Sequence, residues 1–551
     1  MAETQARPPN RRATFREALR SPNVRRIELA WGLSVVGDFA STVALVVFAF
    51  QQGGATLVAV YGLFRTLAGG SVALAIAGVG DRVRSEVLLR ASTWLKAVLL
   101  VLAAVTAAVD GSPLAVVALA ATSSGLEGAY RPLQAATLPW LVRTPTELAA
   151  SNVVASMMES TGALIGPVLA GAILALASPA VSMAVAGAFF GLAWLSLRRL
   201  TVEGRRPGPR STRVLHDLAA GVSALARVAP PAGFIVLDFA QTFVRGALMV
   251  LVAVLAVDVL VLGEQAVGWL NAALGAGGLV GGVIAAGVVR VTRLGRSFIV
   301  GVLLWGLPLV LLALVMQPAV AYLTFLVIGI GNAVEDVGGF TLLARLLSPL
   351  ELVRVVGIVE LAALAGIGVG SIAAPPLLDA LGMRGTLTVL GLGLTGLALA
   401  YAWRFARIDR TMPQPGREVD LLRGLPMFAP LPLAVTELLS TELRPQDFAS
   451  GSVVMKEGDP GEEFHVIASG SATVTVQGRP RPSLGPGDCF GEIALLRDIP
   501  RTATIIATED LHTLALRREE FLAAVSGSAM SSVAAESLVS ERLSQDPSGD
   551  H

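Results

Sequence analysis

The chain has 551 residues, of which 54% are hydrophobic and only 15% charged, with a formal net charge of +1 at pH 7 and a mean hydropathy of +0.69. That balance excludes an ordinary soluble protein, and the near-neutral charge gives no electrostatic reason to expect nucleic acid as a partner. A single cysteine, Cys489, excludes an intramolecular disulfide and a cysteine-built metal site, and the four scattered histidines show no zinc-ligand spacing.

Residues 1–26 are polar and carry Arg7, Arg11, Arg12, Arg16, Arg20, Arg25 and Arg26. No short apolar core with a small-residue cleavage site follows, so this reads as a cytoplasmic N-terminal tail rather than a signal peptide. Apolar spans follow near 27–50, 55–80, 86–109, 113–141, 147–176, 179–199, 232–257, 265–289, 297–316, 318–346, 352–381 and 385–406. Each is long enough to cross ~30 Å of hydrocarbon as a helix, so twelve transmembrane helices are expected. Loops holding Arg82, Arg84 and Arg90, Arg143, Arg198 to Arg227, Arg290, Arg293 and Arg296, and Arg345 and Arg354 alternate with nearly arginine-free ones. The positive-inside rule then places both termini in the cytoplasm of a multi-pass plasma-membrane protein, the bacterial inner membrane being the expected bilayer.

The polar middle loop, 200–231, contains Arg205-Arg206-Pro207-Gly208-Pro209-Arg210 and separates an N-terminal six-helix bundle, 27–199, from a C-terminal one, 232–406. At one fixed offset Arg82 matches Arg290, Glu127 matches Glu335 and Pro167 matches Pro375, which supports an internal duplication. Ser34-Val35-Val36-Gly37-Asp38, the degenerate loop Gly78-Val79-Gly80-Asp81-Arg82-Val83-Arg84, Arg131-Pro132-Leu133-Gln134-Ala135 and the glycine–proline run Gly162 to Gly171 carry the local signal. Together these resemble major facilitator superfamily transporters, in particular the drug and siderophore exporters. The resemblance implies an α-helical membrane protein with two six-helix pseudo-repeats, a small-molecule transport substrate and proton coupling.

Hydrocarbon penalises unpaired charge by several kcal/mol, so ionisable residues inside the spans are candidates for a proton relay or substrate site. In the first half these are Asp38, Arg65, Glu127, Arg131 and Glu159, and in the second Asp238, Arg245, Glu335, Asp336 and Glu360. The competing reading makes them structural pairs. Gly391-Leu392-Gly393-Leu394-Thr395-Gly396 spells a dinucleotide fingerprint, but with no strand before it the expected role is helix packing. Gly277, Gly278, Gly281 and Gly282 read as a small-residue packing face. No hydrolytic triad or nucleotide-hydrolysing loop is present, so neither an enzyme nor a cofactor is expected.

A polar linker, 407–418, leads to a stretch of different character. Phe490-Gly491-Glu492-Ile493-Ala494 opens a short helix, and Pro500-Arg501-Thr502-Ala503 closes the segment. Gly491 lets backbone approach a ligand, free N–H groups at the helix start suit an anion, and the Arg501 guanidinium can grip two phosphate oxygens. The run resembles the phosphate-binding cassette of cyclic nucleotide-binding domains; the stretch Gly451 to Phe464 resembles that family's first barrel strands and turn, and Gly470 and the run Leu484 to Asp488 supply further turns of a β-roll. The resemblance implies a cyclic nucleotide-binding domain over 419–525 and a lid helix and tail over 526–551. It also implies that Glu492 meets the ribose 2′-hydroxyl and Arg501 the phosphate. Thr502 leaves the base open between cAMP and cGMP. The expected function is a cyclic-nucleotide-regulated, proton-coupled exporter of small amphipathic compounds; the alternative is a membrane-bound cyclic-nucleotide receptor whose transporter fold no longer transports.

Overall fold

The computed structural model describes residues 21–79, 83–138, 141, 145–200, 229–288, 293–347, 349–411, 417–431, 433–526 and 529–544. Most of the N-terminal tail, Arg82, Arg143, Arg290, the middle loop from 201 to 228 and the linker residues 412–416 lie outside them. Two compact units emerge, Met1–Arg410 and Thr411–His551.

The first unit is a multi-pass membrane fold. Its helices are α1 (Pro22–Val79), α2 (Ser85–Ala108), α3 (Pro113–Gly125), α4 (Glu127–Thr137), α5 (Pro145–Leu174) and α6 (Pro179–Leu197), then α7 (Ala229–Val254), α8 (Gln265–Val288), α9 (Leu294–Leu314), α10 (Pro318–Leu346) and α11 (Pro349–Thr411). A π-helical turn, Leu255–Val259, extends α7. Among the described residues nine helices are long and apolar enough to cross a membrane.

The first two expected spans form one element, α1, interrupted at Gly53 and Gly54. Gly54 has φ 59 and ψ −156, a conformation that a side chain would oppose. The last two spans likewise form α11, broken at Gly382 with φ 65. α1 begins at Pro22, a residue type preorganised for a first turn, so Arg25 and Arg26 belong to the helix rather than the tail. α11 runs on to Thr411, past the expected end at 406.

The fourth expected span contains two adjoining helices. α3 and α4 meet at Leu126, whose φ of −67 and ψ of −14 are helical and whose N–H donates to the Thr122 carbonyl, so the chain runs on as helix through this point; residues 139 and 140 lie outside the described residues. The second piece carries Glu127, Arg131 and Pro132, and so lacks the apolar run of its neighbours.

Backbone contact across missing side chains packs these helices. A Cβ on Gly166 of α5 would lie 2.8 Å from the Val36 carbonyl of α1, and one on Gly268 of α8 would lie 2.6 Å from the Gly171 Cα of α5. The small-residue face on α8 is narrower than expected. Gly277 and Gly281 meet the carbonyls of Leu326 and Ile330, whereas Gly278 and Gly282 face open space. Gly391 of α11 packs on the Gly306 carbonyl of α9, which makes the fingerprint-like run a helix–helix contact.

The second unit starts with α12 (Arg417–Gly424) and α13 (Leu433–Glu442). Eight strands follow: β1 (Arg444–Phe448), β2 (Val453–Met455), β3 (Glu463–Ser469), β4 (Ala472–Val476), β5 (Arg479–Leu484), β6 (Cys489–Phe490), β7 (Thr504–Ala507) and β8 (Leu511–Arg517). They form two antiparallel sheets of order β1-β8-β3-β6 and β2-β7-β4-β5. α14 (Glu492–Arg497) lies between β6 and β7, and α15 (Arg518–Ser526) and α16 (Ala529–Ser544) close the described chain. Phe464 on β3 stacks on Phe521 of α15 at 4.6 Å and meets Phe428 edge-on at 5.7 Å, joining helices to sheet. Cys489 is buried beside this core, and burial pushes its thiol up to about 12, so it is no nucleophile.

His465 on β3 stacks flat on Phe490 of β6, with ring centroids 4.8 Å apart. Burial pushes its pKa down to about 4. In the unfolded chain the ring takes up a proton near pH 6.5, so between about pH 6.5 and 4 the unfolded state binds more protons and the native state loses stability as pH falls. The loss from this one group is about 3 kcal/mol. Chemical unfolding of residues 411–551 at pH 7, 5.5 and 4 is expected to show that decline in the wild type and a flatter profile in His465→Gln. Parallel profiles would contradict this placement of the ring.

Candidate functional sites

In the second unit, β6 ends at Phe490 and the chain turns through Gly491, whose φ is 90. A Cβ there would lie 2.6 Å from Arg501 Nη1 and 2.8 Å from the Glu463 carbonyl, so only glycine lets the arginine take its position. The guanidinium donates from Nη1 to the Gly491 carbonyl (3.1 Å) and from Nη2 to the Glu463 carbonyl (2.8 Å). The backbone is held as well: Arg501 N–H donates to the Asp459 carbonyl, and Gly458 N–H donates to the Arg501 carbonyl. Arg501 is 7% exposed, and burial lowers its pKa against the pull of nearby Glu463 and Glu492. Its cation is therefore partly desolvated, oriented, and supplied with further N–H groups for an anion.

Glu492 opens α14 and is 1% exposed. Its Oε1 accepts from Arg542 Nη1 at 2.6 Å, while Oε2 is buried without a partner among the described residues. An unmatched buried carboxylate oxygen costs free energy, so it marks a place for an incoming donor such as a hydroxyl. Arg542, on α16, also donates to the Cys489 carbonyl at 2.9 Å. Burial alone would lower its pKa, but the charge and hydrogen bond of Glu492 together with the nearby Cys489 and Asp488 raise it.

These groups border one cavity of about 400 Å³. All eight expected residues line it: Phe490, Gly491, Glu492, Ile493, Ala494, Arg501, Thr502 and Ala503. Val474, Leu484 and Ile505 add an apolar wall, and Arg542 adds a second cation. The result is a small-molecule site with an anion-binding end, a hydroxyl acceptor and a flat apolar side. Arg542 was not foreseen. It stands 50 residues from Glu492 in sequence, and no spacing rule connects them.

In the membrane unit the ionisable residues fall into two groups. Asp38 on α1 accepts from Lys96 Nζ on α2 through both oxygens, each at 2.6 Å. Both side chains are 5% exposed or less, and the ammonium lies 4.4 Å from the Phe190 ring centroid. Lys96 was missing from the expected set, although one of only two lysines inside an apolar span was a signal to find it. Arg65 pairs with Glu127 at 3.3 Å within electrostatic reach of Asp38, which makes a charge-balanced cluster of four. Arg131 pairs with Glu159 and lies over the Trp31 ring. Asp38 is thus a partnered residue, and the structural-pair reading fits it as well as a relay does.

The second group gathers around Arg245 of α7, which interacts electrostatically with Asp238, Glu335, Asp336 and Glu360 from three helices. Among the described residues it forms no close ion pair with any of them. Asp336 accepts from Asn332, whereas among the described residues both oxygens of the buried Glu335 and Oδ2 of Asp238 lack a partner. Asp336 also senses Glu159 of the first half, so acids from the two halves approach each other.

Residues 445–528 match the family model described as cyclic nucleotide-binding domain. Over 102 residues the chain is 37% identical to a cAMP-dependent protein kinase regulatory subunit of Hypocrea atroviridis, covering 18% of this chain and 22% of that protein. Over 145 residues it is 30% identical to a cyclic nucleotide-gated potassium channel of Mesorhizobium japonicum, covering 25% of this chain and 39% of that one. This chain therefore spans well under half of either relative. The crystal structure of a bacterial homolog to the human lysosomal transporter Spinster, inward-facing and unoccupied, covers 71% of this chain and 99% of that one, with a TM-score of 0.57 and 15% identity. That likeness is one of fold. The chain joins a multi-pass helical fold like that of the Spinster homolog to a C-terminal segment that matches the cyclic nucleotide-binding domain.

Proposed function

We propose that this protein is a cyclic-nucleotide-regulated secondary active transporter of the plasma membrane, with both termini in the cytoplasm. In this reading it has twelve spans in two six-helix repeats and exports small amphipathic compounds against proton flow. The observation that carries it is the cavity holding Arg501, the open Oε2 of Glu492 and Arg542, in a chain whose larger unit has a transporter fold. The phosphate meets Arg501 and the first-turn N–H groups of α14, and the ribose hydroxyl donates to Glu492 Oε2. The base lies along Val474 and Leu484. Relatives named for cAMP favour adenine, with Thr502 lining the same cavity.

Because Arg542 already engages the other oxygen of Glu492, nucleotide and α16 share one carboxylate. Binding at that carboxylate therefore alters the hold on α16, which supplies differential affinity between two states of the sensor. In the membrane unit, protonation of Asp38 would release Lys96, and the acids around Arg245 supply further proton sites. The receptor reading is favoured by one fact, the complete pairing of Asp38 by Lys96. Proton flux in liposomes separates the two readings.

Titration calorimetry of cAMP on the full-length protein tests the nucleotide site. Arg501→Ala removes a charge-assisted contact to phosphate, and a loss of roughly ten- to hundredfold in affinity is expected. Arg542→Ala leaves the buried Glu492 carboxylate unpaired, so weaker binding and faster amide exchange along α16 are expected. Wild-type affinity in Arg501→Ala would contradict the assignment.

Asp38→Asn is expected to abolish proton-driven transport in proteoliposomes while leaving cAMP affinity unchanged. Lys96→Met removes the cation hydrogen-bonded to the aspartate and is expected to uncouple transport too. Full coupling in both variants would remove this pair from the mechanism.

A further inference from the structure

We propose that a basic notch at the end of the membrane unit, between the start of α1 and the end of α6, binds the phosphate headgroup of an anionic phospholipid. The proposal is independent of what is transported. Arg25 and Arg26 lie in the first turns of α1, and Arg198 and Arg199 follow directly on α6. The two helix ends are locked together, since Val24 and Ile27 share a buried core with Leu197 and Leu200. The four arginines border a cavity of about 380 Å³ that, among the described residues, has no carboxylate in its lining.

The four are not equivalent. Arg26 donates to the Arg199 carbonyl and to Asn23 Oδ1, both at 2.9 Å, and so offsets the partial negative charge at the end of α6. Arg25, Arg198 and Arg199 are exposed, and among the described residues none of them forms an ion pair with a carboxylate. The positive end of α1 adds to their field. Three cations are thus left for a ligand, with a fourth fixing the frame.

The apolar part of the notch decides between a soluble phosphate and a lipid. One turn deeper than the arginines, Leu29 and Leu195 line the same cavity, at 52% and 47% exposure. A free phosphate has no use for exposed leucines beneath the cations. A phospholipid places its phosphate at the arginines and its acyl chains along the leucines, the arrangement expected for a basic pocket at a bilayer surface.

The full-length protein, reconstituted in phosphatidylcholine vesicles with or without phosphatidylglycerol, is extracted in mild detergent and its retained lipid read by native mass spectrometry. Wild type is expected to keep phosphatidylglycerol and not phosphatidylcholine. The double variant Arg25→Gln, Arg198→Gln, with Arg26 left to hold the helix end, is expected to lose roughly tenfold or more of that retention. Arg25→Lys with Arg198→Lys is expected to keep it, which guards against a folding artefact. Equal retention of both lipids by the wild type, or undiminished retention in a folded Gln variant, would overturn the proposal. Displacement of the lipid by millimolar inorganic phosphate would assign the notch to a soluble anion instead and overturn the lipid assignment.

Discussion

A carboxylate removed from water must find a cation or a donor, and this requirement shapes both units of the protein. In the second unit, Glu492 is almost completely enclosed, and among the described residues only Arg542 keeps its Oε1 from being stranded. In the membrane, Asp38 and Lys96 meet through both carboxylate oxygens where neither would be tolerated alone. Each pair joins elements distant in sequence. Each is also a place where a proton or a ligand can compete for the same charge, so the groups that hold the fold are the ones poised to change it.

The two acid sets of the membrane unit differ in how far this requirement is met. Around Asp38 the charges balance, with Lys96 and Arg65 facing Asp38 and Glu127. Around Arg245 one cation serves four acids, and among the described residues Glu335 has no hydrogen-bond partner for either oxygen. A balanced cluster favours rigidity. An acid-rich one favours protons or cations that come and go. That asymmetry suits a machine in which one half is a fixed frame and the other carries the variable charge.

Much of this was legible from residue order. Long apolar runs announce a membrane unit because hydrocarbon demands them, and the cassette from Phe490 to Ala503 is a local motif whose glycine, acid and arginine lie within one short segment. Gly278 and Gly282 could not be told from Gly277 and Gly281, since the direction a glycine faces depends on the partner helix. Lys96 and Arg542 escaped for a deeper reason. Their partners lie 58 and 50 residues away, and no periodicity carries information across such a gap.

The central claim is that the nucleotide site and the transport cycle share one free-energy balance. Linkage makes that claim reciprocal: a ligand that shifts the transporter between states must itself bind those states with different affinity. The direct measurement is cAMP affinity of the full-length protein while the membrane unit is held in one transport state by a bound substrate or inhibitor, compared with its absence. The account predicts a change of roughly five- to a hundredfold, matched by an equal change in substrate affinity when cAMP is added. Identical cAMP affinity across a confirmed change of transport state would show that the sensor does not act on transport.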